Sequence, residues 1–332
     1  MSRAAHDRVV TDEFLHRLAA VADVVPGVLE EFDSVPARRT LAEIDVLVTG
    51  WGCPALSAAA VAGAPRLRAV VHTAGTVRHH VTPAVWGRDI AVSSAAAANA
   101  VPVAEYTLAT VLLAGKQVLA SAENYRRASS RDTFTDAAAG AVVLDEATGN
   151  FGRTVGILSA SLVGRRVVEL LRPHDLRVLV HDPYVPDAAI RALGAEPVGL
   201  PELFERSDVL SVHTPLLPET RGLVSADLLA RLPDGATLIN TARGAVVDNE
   251  ALVVELRAGR LHAVLDVTDP EPLPAGHALW DCPNVLLTPH VAGSLGNELR
   301  RLTACAAGEV ERFAAGLPFA HPVLRAALER SA

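Results

Sequence analysis

Lysine is almost missing from this chain: Lys116, in AGKQ, is the only one in 332 residues. No Ser or Thr follows it, which excludes a P-loop at that position. Cysteine is scarce too. Cys53, Cys282 and Cys305 are widely spaced, with no CxxC or CxxH pairing. They suggest neither a disulfide framework nor a zinc site, so no metal is expected and a reducing cytoplasm is the expected compartment. An excess of positive charge is also lacking. The 30 basic and 38 acidic residues leave a net charge of -8, which argues against nucleic acid or an anionic membrane as the main partner. No uninterrupted apolar run reaches the length of a membrane span in this reading. The N-terminus, MSRAAHDRVVTDEF, carries charges too early for a signal peptide.

What is present is an ordinary globular composition, half hydrophobic and one fifth charged. Its length suits two domains with separate cores. From Ile44 to about Val92, the β-branched runs IDVLVTG, LRAVVHTAG and IAVSS are separated by helical stretches. The same alternation returns in TVGILS, LRVLVHDP, SDVLSVHTP, GATLINTARG, LHAVLDVTD and NVLLTPH. Strands alternating with helices predict parallel sheets covered on both faces, here in two α/β units. Between them, PVAEYTLATVLLAGKQVLASAENYRR has apolar residues at helical spacing and predicts one long helix able to bridge domains. Residues 128–150 read as a polar loop. The run ELRRLTACAAGEVERFAAG predicts a last helix that packs back on the N-terminal unit. Residues 1–20 read as one helix after a short charged lead, where such a unit would usually begin with a strand.

The stretch TVGILSASLVGRR, Thr154 to Arg166, is a strand, a tight turn and the start of a helix. It has Ser159, Ser161 and Gly164 at the glycine positions of G-x-G-x-x-G. In that turn the first glycine permits the bend, the second lets backbone approach a pyrophosphate, and the third lets helix pack on strand. Serine is expected to serve in the first two roles if its backbone stays in an allowed region, with its hydroxyl available to a phosphate. The pyrophosphate would meet the amides of Leu162 and Val163. Asp182 ends the next strand, about where an acidic residue takes the ribose hydroxyls and repels a 2′-phosphate, which favours NAD over NADP. A plainer role for Asp182, as a turn residue before Pro183, stands beside this one.

Three ionisable residues follow strand ends: Arg243 in NTARGAVVD, Glu271 in LDVTDPEPL and His290 in LLTPHVAG. Together they match the needs of 2-oxo acid reduction. A guanidinium grips the substrate carboxylate and polarises the carbonyl, an imidazole donates a proton as hydride arrives, and a carboxylate steadies the imidazolium. Singly, each has a bland rival: a surface charge, a solvated loop residue and a core histidine.

On these residues the chain resembles the D-isomer-specific 2-hydroxyacid dehydrogenase family. VHTPLLPETRGL, LINTARGAVVDNEAL, LDVTDPEPLP and NVLLTPHVAG carry the likeness in order, strongest from Thr154 to Gly293. The resemblance implies an α/β fold of two Rossmann-like domains. A nucleotide-binding domain, residues 101–293, is inserted into a flavodoxin-like substrate domain, residues 1–100 and 294–332, with the site in the cleft between. It implies NAD as cofactor, a small 2-oxo or 2-hydroxy acid as substrate, and a homodimer. Arg243, Glu271 and His290 take the catalytic roles. Ser161, Leu162, Val163, Gly164, Asp182, Thr214, Pro215, Thr241, Ala242, Asp266 and Gly293 match cofactor-lining positions. HTAGTVRHHV looks like the substrate-carboxylate loop, with the amides of Thr76 and Val77 as donors. Asn99 matches a side chain facing the reacting centre, and Val103 would back the nicotinamide. Trp51, after a strand with Cys53, either walls the substrate pocket or caps the sheet.

The departures are Ser159 and Ser161, Thr268 where an aromatic is frequent, Asp269 where Glu is frequent, and Arg78, His79 and His80 in the substrate loop. Solvent is the expected surrounding of those three cations. Two alternatives remain at this point. One is an NAD-binding regulatory or interaction protein of the same fold. The other is an enzyme for an acid bearing phosphate or phosphonate, with Arg78, His79 and His80 supplying charge.

Overall fold

The structure, a computed structural model, describes residues 1–127 and 148–328. The loop expected at 128–150 therefore lies outside the described residues up to 147. The chain divides into two compact units, Met1–Ala100 with Ser294–Ala332, and Val101–Gly293.

The first unit holds three parallel strands, β1 (Val46–Thr49), β2 (Ala69–His72) and β3 (Ala91–Ser94), in the order β1-β2-β3. Every residue of β2 is buried, because alternate side chains of a central strand enter opposite cores. Val70 packs with Leu41, Leu67, Val85 and Val92. Val71 packs with Phe14, Leu18, Ala306 and Val310. The last of these come from the Leu299–Ala314 helix, the predicted final helix, which Arg17 also grips through both Glu311 oxygens at 2.8 and 2.9 Å.

The single N-terminal helix expected for residues 1–20 is instead two, Arg3–Val9 and Asp12–Ala19. Val10 is extended, and the Thr11 hydroxyl caps the second helix by accepting from the Phe14 amide at 3.2 Å. Asp12 and Glu13 in its first turn suit the positive end of the helix dipole.

The second unit is a seven-stranded parallel sheet in the order β10-β9-β8-β7-β4-β5-β6. From β4 (Thr154–Leu158) the chain steps outward to β5 (Arg177–His181) and β6 (Glu196–Pro197). It then returns to the other side of β4 with β7 (Val209–Val212), β8 (Thr237–Asn240), β9 (His262–Leu265) and β10 (Val285–Leu287). That reversal makes a topological switch point at the carboxyl ends of β4 and β7, where open α/β sheets receive ligands. Buried aliphatic clusters cover the sheet, Leu210 and Leu238 in one and Ile157, Val180 and Ile239 in the other.

The predicted bridging helix also differs. It begins at Ala96, ahead of Pro102, and ends at Gly115; Gln117 takes a positive φ of 47°, and a second helix runs Val118–Arg127. Ala96–Gly115 is long and apolar enough to cross a membrane by length and composition, although Asn99 and Glu105 interrupt it, so it is not the uninterrupted apolar run that the sequence was read to lack. Ala104 and Val111 on it are buried in the core of the second unit.

Candidate active site

The serine-rich turn leaves β4 at the switch point. Ser159 adopts φ +83°, the left-handed region that a side chain rarely enters, so its backbone does not stay in the ordinary allowed region. An L-residue there costs about 1–2 kcal/mol. Asp182 compensates. Its Oδ2 accepts from the Ser159 hydroxyl at 3.0 Å and the Ala160 amide at 2.9 Å, and its Oδ1 accepts from the Tyr184 amide at 2.9 Å. Asp182 is thus a turn residue, and a carboxylate with about four lone-pair sites still has capacity for a ribose hydroxyl.

Ser161 caps the Leu162–Leu171 helix. Its hydroxyl accepts from the Gly164 amide at 3.3 Å and donates to the His213 carbonyl at 3.0 Å, joining the ends of β4 and β7. The expectation of serine hydroxyls turned to a phosphate therefore does not hold for this conformation: both are engaged inside the protein. The amides of Leu162 and Val163 have no acceptor among the described residues. They head a ten-residue helix, so the backbone of the turn fits a pyrophosphate. Thr214 bonds the Leu158 carbonyl at 3.3 Å, and buried His213 sits 2.9 Å from the Ser211 hydroxyl, with Pro215 following.

Gly164 keeps its role as third glycine for a steric reason: a Cβ there would lie 2.1 Å from the Ser159 carbonyl oxygen. Gly164→Ala is expected to cost roughly 2–3 kcal/mol from overpacking against backbone and to weaken NADH binding about tenfold. Gly308→Ala, in open space on the Leu299–Ala314 helix, is the control and stabilises by up to about 1 kcal/mol. Thermal unfolding and NADH fluorescence titration of both variants check this; equal behaviour would contradict it.

Arg243, Glu271 and His290 follow β8, β9 and β10, three adjacent strands. The Arg243 loop is set by buried Asn240, whose amide group donates to the Arg243 carbonyl and accepts from the Ala242 amide, both at 3.0 Å. Thr241 before it is buried and 3.3 Å from the Thr107 hydroxyl. A Cβ on Gly244 would strike the Thr268 carbonyl carbon at 2.0 Å, so glycine there lets the loop carrying Glu271 pass against the loop carrying Arg243. Burial lowers the Arg243 pKa, with the Glu271 charge opposing, while its Nη1 donates to the Ala242 carbonyl at 2.7 Å. Asp269 is engaged elsewhere, in an exposed ion pair with Arg221 at 3.1 Å.

Glu271 Oε1 lies 2.7 Å from His290 Nδ1, both side chains about half exposed. This bond holds the ring and turns Nε2 away from the carboxylate. His290 itself has φ +55°. Asp266, 1% exposed, organises the following backbone: its carboxylate accepts from the Val291 and Ala292 amides at 2.8 and 2.9 Å and from the Thr288 hydroxyl at 2.6 Å. Gly293 closes the segment at the end of this unit. Val103 is buried on its helix.

In the first unit, Trp51 is partly exposed after β1, and Asn99 accepts the Ser294 amide at 3.0 Å. The amides of Thr76 and Val77 have no acceptor among the described residues, although the Val77 side chain is buried. The solvated surrounding expected for His80 is a correction. His80 is 3% exposed, packed at 4.4 Å on the ring of His72, and both flank the buried Thr49 hydroxyl at 3.3 and 2.9 Å. Arg78 donates to the Leu328 carbonyl at 3.1 Å, and His79 alone of the three is exposed.

Burial lowers the pKa of His72 to about 3, of His80 to about 4 and of His213 to about 3, from 6.5. A depressed histidine pKa means that the unfolded chain binds protons that the folded one refuses. Stability is therefore complete above pH 6.5 and is lost as pH falls toward 4, by about 1.4 kcal/mol per pH unit for each histidine. Urea midpoints at pH 7 and pH 5 are expected to differ strongly; equal midpoints would contradict the burial of these rings.

The profile of the D-isomer-specific 2-hydroxyacid dehydrogenase family, NAD-binding domain, matches residues 119–292. The chain belongs to this family. Among curated relatives, D-3-phosphoglycerate dehydrogenase of Mycobacterium bovis is 32% identical over 241 residues, covering 72% of this chain and 43% of that protein. Glyoxylate reductase of Aeropyrum pernix is 39% identical over 166 residues, half of each chain. The chain spans less than half the length of the phosphoglycerate relatives it matches. A solved protein of Thermus thermophilus shares 29% identity at a TM-score of 0.72, over 96% of this chain and 98% of that one.

Sequence reasoning found the family's motifs but missed Asn240, Thr288 and Tyr106, whose phenol oxygen lies 2.9 Å from the Thr288 hydroxyl. Asn240 carried a signal, an asparagine at a strand end whose side chain can bond its own following backbone. Thr288 and Tyr106 carried none.

Proposed function

We propose that this chain interconverts a small 2-oxo acid and the D-2-hydroxy acid, with NAD as cofactor. The observation that carries the reading is the 2.7 Å Glu271–His290 pair at strand ends adjacent to Arg243. When bound, the nicotinamide supplies or accepts the hydride. The Arg243 guanidinium binds the substrate carboxylate and polarises the carbonyl in a fork that a point charge does not reproduce. His290 Nε2 gives the carbonyl oxygen its proton in reduction and takes it back in oxidation, while Glu271 holds Nδ1 and balances the imidazolium charge. Leu162 and Val163 amides hold the pyrophosphate, and Asp182 meets the ribose.

The assay is NADH oxidation with a 2-oxo acid, NADPH run beside it. A cytoplasmic homodimer completes the reading. Its support is three free cysteines and the exposed Leu113, Val118, Leu119 and Tyr125 on the Ala96–Gly115 and Val118–Arg127 helices. Light scattering giving a monomer would remove the dimer.

An NAD-binding regulatory protein is the second reading. One observation favours it: the Ser159 hydroxyl occupies part of Asp182. The phosphate-bearing substrate loses support from buried His80.

A further inference from the structure

Tyr106 stands on the Ala96–Gly115 helix, and its phenol oxygen lies 2.9 Å from the hydroxyl of Thr288, 182 residues later. The Thr288 oxygen is in turn 2.6 Å from Asp266 Oδ1. A carboxylate only accepts, so the Thr288 hydrogen points to Asp266, and the Thr288 oxygen is left to accept from Tyr106. The direction of the chain is thereby fixed: Tyr106 donates to Thr288, and Thr288 donates to Asp266. At its far end, Asp266 holds both amides after His290 through its carboxylate, and the His290 amide donates to its main-chain carbonyl at 2.9 Å. His290 needs such a hold, because at φ +55° its backbone is in a region that a non-glycine residue leaves readily.

We propose that Tyr106 is a positioning residue for His290, acting through Thr288 and Asp266 to fix the loop from which the imidazole projects. This rests on the proposed role of His290 as acid and base. Burial raises the Tyr106 pKa, the Thr288 bond opposing and the Asp266 charge adding, which keeps the phenol a donor. The ring packs on the core of the second unit, so Tyr106→Phe keeps the packing and removes only the hydroxyl.

For Tyr106→Phe, kcat is expected to fall about tenfold, the loss of one hydrogen bond to the Thr288 hydroxyl in a chain that ends on the Asp266 carboxylate. KM for the acid, the NADH dissociation constant and the thermal midpoint stay near wild type. Without cofactor or substrate, amide hydrogen exchange in residues 288–293 quickens while the sheet is unchanged. Thr288→Val repeats this, the double variant is no worse than Thr288→Val alone, and Thr288→Ser restores kcat. Wild-type kcat with unchanged exchange in Tyr106→Phe overturns the proposal. So does faster exchange spread through the sheet with a lowered midpoint, which marks a merely structural tyrosine. If wild type reduces no 2-oxo acid while residues 288–293 alone respond, the functional reading fails and the Tyr106 link to the loop stands.

Discussion

His290→Ala is expected to lower kcat for 2-oxo acid reduction by about 10³-fold, within the roughly 10²–10⁴ that a placed general acid supplies. NADH affinity should not change, because in the proposed mechanism His290 handles the proton and not the phosphates. The 2.7 Å bond to Glu271 is what makes the effect large. It fixes one ring nitrogen and, in the proposed mechanism, leaves the other for the substrate. Glu271→Gln keeps the shape but loses the charge, and should give a smaller loss concentrated where the imidazolium must form. Steady-state kinetics with NADH titration separates these outcomes. A His290→Ala variant with wild-type kcat would remove the histidine from the chemistry.

Arg243→Lys is expected to lower kcat/KM by about 10²–10³-fold, and Arg243→Ala by more. The guanidinium makes two parallel bonds to a carboxylate, each about 1.5–3 kcal/mol when charge-assisted, and lysine replaces the fork with a single point. The loss should fall on both kcat and KM, since in the proposed mechanism the same group binds the acid and polarises its carbonyl. The surrounding loop strengthens the case for function over a surface charge. Asn240 is spent on fixing the Arg243 backbone, and Gly244 admits a neighbouring loop at a distance no side chain tolerates. A lysine variant within twofold of wild type would mean that Arg243 does not grip the substrate.

Much of this architecture was readable because parallel strands are apolar runs and the candidate catalytic side chains follow their ends. TVGIL, VLSV and TLIN are strands of the second unit, and Gly164 was recognisable by spacing alone. Local chemistry was harder. Ser159 in a left-handed conformation depends on a bond to Asp182, 23 residues away, which no pattern at the turn announces. The break near Thr11 followed from a cap that helical periodicity overrode in the reading. His72 and His80 looked like a strand end and a loop cation, and only the sheet brings them together over Thr49. Tyr106 and Thr288 were invisible for the same reason, being joined by tertiary structure.

The most direct test of the central claim is NADH oxidation by the purified protein across a panel of small 2-oxo acids, with His290→Ala as the paired control. Turnover of at least one acid by wild type, all but abolished in the variant and absent with NADPH, is the predicted result. Saturable NADH binding with no acid turned over would contradict it, and would make the protein an NAD-binding regulator carrying a catalytic geometry it does not use.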